Sequence, residues 1–219
     1  VALTAYITQV RRLLHDPSGQ YWSDSELTDY INEARNRICK DTRCLRTYIP
    51  GLVTMTQGDE QYLLSDLQSA AGFTTNYTGY TIIDVMGVTV IWGQTRIKLG
   101  YAPWTRFDAM MRYWTNMQSR PVLFSRLGAL SVYIGPQPDQ SYVSDWDLAL
   151  IPPPLVSDST PEAIPEPFVT PIKYYAAYVA KFREQAIAEA QMFEKMYKRQ
   201  SLIEASAFMG RVIPDPYAK

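Results

Sequence analysis

The chain has 219 residues, 47% hydrophobic and 13% aromatic, enough apolar material for a packed core and too much for disorder over most of its length. Lysine and arginine (21) nearly balance aspartate and glutamate (22), leaving a net charge of −1. A domain that grips DNA through its phosphates carries a basic surplus, and this chain has none.

The first apolar stripe, Leu3, Tyr6, Ile7, Val10, Leu13 and Leu14, recurs at helical steps, with Arg11 and Arg12 outside it. Asp16-Pro17-Ser18-Gly19 stops that helix. The second helix has an explicit start. Ser23 is placed to cap it, with Glu26 three residues on to complete a capping box. Trp22 before the cap and Leu27 at the fourth helical position can form a hydrophobic staple. Asp24 and Glu26 also favour the positive end of the helix dipole. Leu27, Tyr30, Ile31, Ala34 and Ile38 form its apolar face. The two segments are expected to pair as a helical hairpin with a loop of about eight residues.

From about Arg46 the pattern turns to strands. Thr47–Met55 reads as a strand that Pro50-Gly51 threatens to break, and Thr81–Trp92 as one with a bulge or bend at Gly87. Arg96–Tyr101 is expected to pair with it across Gly93-Gln94. Trp104–Trp114 reads as a short helix after Pro103, and Pro121–Ser125 with Leu130–Ile134 as a hairpin through Leu127-Gly128. Trp146–Ile151 is the last strand, before an extended Pro152-Pro153-Pro154. Nothing in Gln57–Tyr80 is recognisable.

Val156–Pro167 reads as an acidic, proline-bearing linker. Thr170 can then cap, Pro171 suits a first turn, and no Gly or Pro interrupts the chain before Gly210. One helix of ~35 residues, ~50 Å long, is expected. Its buried side would be Ile172, Tyr175, Ala176, Val179, Phe182, Ala186, Ala190, Phe193 and Tyr197. Beyond Ser206 an apolar segment cannot stay helical past Gly210 and Pro214.

The fold class expected is therefore α+β. A helical bundle made from the N-terminal hairpin and the long C-terminal helix carries an inserted β-rich, sandwich-like domain and an extended tail. The boundaries expected are 1–45, 46–160, 161–206 and 207–219.

Catalytic chemistry is not visible. His15 is the sole histidine, which removes His-dependent triads and multi-His metal sites, and its place at the end of the first helix is structural. Asp16–Gln20 lacks the order of a calcium loop. There is no P-loop and no G-x-G-x-x-G. Asp145 and Asp147 share one face of a strand around Trp146, and read as solvent-facing polar residues beside an inward ring. Trp104, Phe107, Tyr113 and Trp114 read as core or subunit contact. Cys39 and Cys44 match no zinc spacing and read as reduced, half-buried thiols of a cytoplasmic protein. The N-terminus has no signal-peptide pattern, and no apolar run reaches the ~18–20 residues of a membrane span. No enzyme and no cofactor is expected.

The stretch from Leu13 to Arg46, "LLHDPSGQYWSDSELTDYINEARNRICKDTRCLR", resembles the opening of head-to-tail adaptor (connector) proteins of tailed bacteriophages. In that family a short helix precedes a Trp-Ser/Thr-Asp-x-Glu-Leu start and an Ile-Asn-x-Ala-x-x-x-Ile/Val helix. Here these are Trp22, Ser23, Asp24, Glu26 and Leu27, then Ile31, Asn32, Ala34 and Ile38. Arg120–Tyr142, Leu148–Phe168 and the Tyr/Ala-rich Tyr174–Tyr178 fit the same order. The resemblance implies a ring, typically of twelve subunits, below the portal at the head-tail junction of the virion, assembled in the host cytoplasm. It implies a central channel through which DNA passes without sequence-specific binding. Portal would receive the C-terminal extension, here Phe208, Met209, Arg211, Ile213 and Tyr217; a tail, nozzle or stopper protein would meet the β part. No membrane is involved. Glu33, Arg35, Arg37 and Glu189 are expected as an inter-subunit rim, and Trp22, Ser23, Glu26 and Leu27 as a helix-start scaffold. A carbohydrate-binding or tail-accessory module using the aromatics of the β region is the alternative reading.

Overall fold

The computed structural model of the protein describes residues 2–112 and 117–208. In chain order the elements are α1 (Leu3–Leu14), α2 (Asp24–Thr42), β1 (Arg46–Met55), β2 (Gln61–Leu63), α3 (Leu64–Ser69), α4 (Ala71–Thr74), β3 (Thr81–Trp92), β4 (Thr95–Lys98), β5 (Gly100–Tyr101), α5 (Trp104–Met111), β6 (Leu123–Leu127), β7 (Ser131–Gly135), β8 (Tyr142–Ile151), α6 (Glu166–Val169), α7 (Ile172–Arg183) and α8 (Ile187–Phe208). The protein is thus a mixed α+β chain with two sheets. It forms two compact units: the chain before Arg46 together with the chain after Pro153, and Arg46–Pro153 between them.

In the helical unit α7 packs against α1, α2 and α8. Its Ala176, Ala177 and Ala180 are fully buried, and side chains this small let neighbouring backbones approach closely. Tyr6 and Val10 of α1, Leu27, Tyr30 and Ile31 of α2, and Phe193 and Tyr197 of α8 fill the rest of the core. Each large apolar side chain buried here contributes roughly 1.5–3 kcal/mol.

The expected single C-terminal helix is two helices. Gln185 between them has φ +64°, in the left-handed region. The amide of Gln185 donates to the Phe182 carbonyl and that of Ala186 to the Lys181 carbonyl, both at 3.1 Å. This is the Schellman pattern that closes a helix, with glutamine where glycine is usual. Lys181 clasps the corner, pairing with Glu184 at 2.9 Å and with Glu189 at 3.1 Å. The chain then doubles back, so that Tyr175 of α7 meets Tyr197 of α8 with ring centroids 5.1 Å apart. Phe182, expected on the buried side, lies at this corner and is exposed. Thr170 does not cap either: Pro171 is the N-cap of α7, and the short α6 precedes it where linker was expected.

The second unit holds two four-stranded sheets, ordered β1-β8-β3-β4 and β2-β7-β6-β5. Trp146 of β8 is fully buried and meets Tyr62 of β2 at 6.2 Å between ring centroids, so the two sheets touch through their aromatics. Pro50-Gly51 does not break β1. The strand bulges there, and its pairing with β8 resumes from Ile49↔Trp146 to Val53↔Ser144. β3 and β4 pair across Gly93-Gln94, with Val90 opposite Ile97. The expected Arg96–Tyr101 strand is split between the sheets: β4 joins one, and β5 pairs in parallel with β6 in the other. Phe124 stands opposite Ile134 in the β6–β7 hairpin. α5 ends at Met111 rather than Trp114 among the described residues. The unrecognised stretch 57–80 contributes β2, α3 and α4.

Candidate assembly surface

The α1–α2 corner is organised by one carboxylate. Asp16 is buried and accepts the backbone amides of Gln20 (2.9 Å), Tyr21 (3.1 Å) and Trp22 (3.1 Å). Arg11 reaches it at 3.3 Å and also donates to the Trp22 carbonyl and the Asp24 carboxylate, both at 2.8 Å. Burial pushes the Asp16 carboxyl up, but these donors outweigh it and hold it below the usual carboxylate range. The loop from Asp16 to Gln20 is therefore an internal hydrogen-bond hub rather than a cation site. At the start of α2, Ser23 Oγ accepts from the Glu26 amide at 3.3 Å and Glu26 Oε2 accepts from the Ser23 amide at 3.1 Å. Leu27 is fully buried. The Trp22 ring stands edge-to-face on Tyr30 at 6.1 Å. Arg183 lies over the other side of this corner, 4.7 Å from the Tyr30 ring centre. Trp22, Glu26, Tyr30 and Arg183 line a cleft of about 470 Å³.

The acidic segment after Pro153 is a strap rather than a free linker. The Asn32 side chain clamps the Leu155 backbone, donating to its carbonyl at 2.9 Å and accepting from its amide at 2.8 Å. Asp158 accepts from the Thr4 amide at 2.8 Å and the Thr4 hydroxyl at 2.6 Å. Glu162 accepts from Arg35 Nη2 at 2.8 Å, from the Tyr6 hydroxyl at 2.9 Å and from the Ile164 amide at 3.0 Å. Residues 154–160, expected to end the inserted domain, thus belong with the helices. Periodicity could not reveal this, because the strap is fastened by single polar side chains more than a hundred residues away in sequence.

The four expected rim residues do not lie alike. Glu33 is exposed. Arg37 is exposed and held by Asp41 at 2.9 Å. Glu189 is exposed and engaged by Lys181. Arg35 is a correction: its side chain is 1% exposed, on the same face of α2 as Ile31, Ala34 and Ile38, and its charge is spent on Glu162 within its own unit. Of the expected portal-docking residues, Phe208 closes α8; Met209, Arg211, Ile213 and Tyr217 lie outside the described residues.

Asp145 is a second correction. It is fully buried, not solvent-facing, and accepts from the Tyr48 hydroxyl at 2.6 Å and the Gly51 amide at 2.8 Å, with Arg96 at 3.3 Å. The β1 bulge turns the Gly51 amide onto it, which the strand pattern alone does not show. Asp147 pairs with Arg46. In the aromatic cluster Trp104 packs on Tyr133 at 4.7 Å and on Phe107 at 5.9 Å, and Arg112 covers both Trp104 and Tyr133. Tyr113 and Trp114 lie outside the described residues. The described part of the cluster is engaged within its own unit, as core contact is.

Among the described residues no group of three or more His, Cys, Asp or Glu is arranged to hold a metal ion, and no helix is long and apolar enough to cross a membrane. Cys39 and Cys44 are free thiols, 4.0 Å apart.

The interactions described in the helical unit fasten α1, α2 and the strap to one another, which is the character of a structural part. The family model for the SU10 adaptor protein matches residues 2–214, and the chain belongs to that family. This gives it the role of a phage adaptor, a virion protein that works through contacts with other head and tail proteins and for which the family implies no enzymatic activity. No curated protein matches the chain significantly.

Proposed function

We propose that the chain is the head-to-tail adaptor of a tailed phage, assembling as a ring of twelve copies between portal and tail around a channel for DNA. The family match over nearly the whole chain carries this reading. The near-neutral charge supports it, since a strongly basic lining would hold DNA rather than let it slide. The strap and the capped corner support it as well, because an error in helix direction would recur at every contact of a closed ring. In this reading the segment from Phe208 to Lys219 docks on portal through Phe208, Met209, Arg211, Ile213 and Tyr217, and the β unit receives the next tail component.

The test is the mass of the protein in solution, alone and with portal protein. A complex holding many copies of the chain per portal is expected; a complex holding one or two would overturn the ring. Deleting Ala207–Lys219 is expected to leave a folded protein that no longer binds portal. Unchanged binding would remove that segment from the contact.

A further inference from the structure

One face of α8 is turned away from the core of its own unit and is exposed among the described residues. Ala190, Phe193, Tyr197 and Ser201 are buried, whereas Met192 (47% exposed), Met196 (42%) and Ile203 (49%) lie on the opposite side at helical steps. Exposed Lys195 and Arg199 stand among them, and neither makes an ion pair with a described residue. Of the other charges of this helix, Glu189 pairs with Lys181 and Glu194 with Lys198, and Glu204 accepts from the Gln200 side-chain amide at 2.8 Å. α2 has the complementary feature. Its outward row runs Ser25, Asp29, Glu33, Asn36 and Lys40, opposite the buried Leu27, Ile31, Ala34 and Ile38. Asp29 and Glu33, one turn apart at its centre, are exposed and make no ion pair with a described residue. Ser25 and Asn36 are short and leave room for long incoming side chains.

Both patches face away from the core they share, and no ion pair between them forms among the described residues. We propose that the Met192, Lys195, Met196, Arg199 and Ile203 face of α8 docks on the Asp29–Glu33 row of α2 in a second copy of this chain. The occupant is another copy because the two patches match in charge: Lys195 and Arg199 on one side, Asp29 and Glu33 on the other. Methionines suit such a contact, since they adapt to the surface they meet. Two different patches on one chain make a heterologous contact, which builds a closed ring when its rotation closes. This inference rests on the ring reading and names its repeated contact.

A charge swap tests it with the full chain. One variant carries Lys195→Glu and Arg199→Glu, the other Asp29→Lys and Glu33→Lys; all four positions are exposed, and unchanged thermal melts confirm folding. Sedimentation velocity over a concentration series reads assembly. Wild type is expected to associate, and each variant alone to need at least about tenfold more protein. An equimolar mixture of the two is expected to restore association, because every contact in an alternating ring is again between opposite charges. Assembly that neither swap weakens, or that the mixture does not restore, overturns the contact while leaving the ring standing. A wild-type chain that stays monomeric throughout, with this face covered by its own residues 209–219 or reserved for a different protein, also overturns it. The ring itself is judged separately by the portal-bound mass.

Discussion

Arg35 and Glu162, 127 residues apart in sequence, meet as a buried pair at 2.8 Å with side-chain exposures of 1% and 4%. The pair is not a surface ornament. It joins α2 to the strap, while the other Glu162 oxygen reaches Tyr6 on α1. Breaking one partner of such a pair strands a buried charge, a loss of about 3–5 kcal/mol. Arg35→Met is therefore expected to lower the stability of the helical unit by that amount in urea melts. The double variant Arg35→Met with Glu162→Gln is expected to recover part of it, because glutamine is uncharged and its carbonyl still accepts the Ile164 amide. A double variant no more stable than Arg35→Met alone would show that the charge is not what is costly.

The same carboxylates set the pH response. Burial raises Glu162, but Arg35, the Ile164 amide and Tyr6 together hold it below its ordinary 4.5. Asp16 and Asp158 lie below their ordinary 3.8, Asp16 through its backbone donors against burial, Asp158 chiefly through Thr4. Groups lowered on folding contribute stability that is complete above the unfolded values and is lost as pH falls through the folded ones. Denaturation midpoints are expected to hold from neutral pH to about 5 and to fall below about 4.5. Glu162→Gln should flatten the upper part of that fall. Tyr6 and Tyr197 are raised, by burial and then by Glu162 and Asp41 respectively. Their contribution is complete below the ordinary 10.0 and is lost as pH rises beyond it, so urea midpoints should also drop on the alkaline side.

The two thiols are expected to react unequally. Cys39 is fully buried, and its hydrogen bond with Cys44, with burial added, pushes it up. Cys44 is half-buried and is lowered, first by the Cys39 thiol. The thiolate is the nucleophile, so iodoacetamide at pH 8 should label Cys44 at least about tenfold faster than Cys39, as peptide mass mapping would read. Equal rates would mean that the helix end opens faster than it is alkylated.

Much of the helical unit was legible because its signals are local. Ser23 and Glu26 announce a cap within four residues, and the stripes of α1 and α2 need only their own sequence. What was not legible depends on partners far along the chain. Arg35 looked like one more charge on a mixed face, and only Glu162 explains its burial. Asp145 looked like a surface carboxylate until the Gly51 bulge met it. The break between α7 and α8 was hidden for another reason. The three described non-glycine residues with positive φ, His15, Arg43 and Gln185, each follow the end of a helix. At His15 the following Pro17 and Gly19 still signalled a stop, whereas Gln185 has no such neighbour and reads as ordinary helix. Of the assembly surface, the charges of α2 and α8 were visible. Which of them were already paired within the chain was not, and the contact proposed between copies depends on that.

The Gln185 corner gives the last test. A residue with a Cβ in the left-handed region costs about 1–2 kcal/mol relative to its usual conformations, and glycine avoids most of that. The Schellman bonds from Gln185 and Ala186 use only backbone atoms, so a substitution at 185 leaves them in place. Gln185→Gly is therefore expected to stabilise the helical unit by about 1 kcal/mol, less the added freedom of the unfolded chain. Gln185→Ile, branched at Cβ and poorest in this region, is expected to destabilise it by at least as much. If instead α7 and α8 formed one continuous helix, the order would reverse. Glycine in a helix interior would cost about 1 kcal/mol, and isoleucine only a few tenths. Urea melts of the two variants therefore distinguish a hairpin from a rod by the sign of the difference between them.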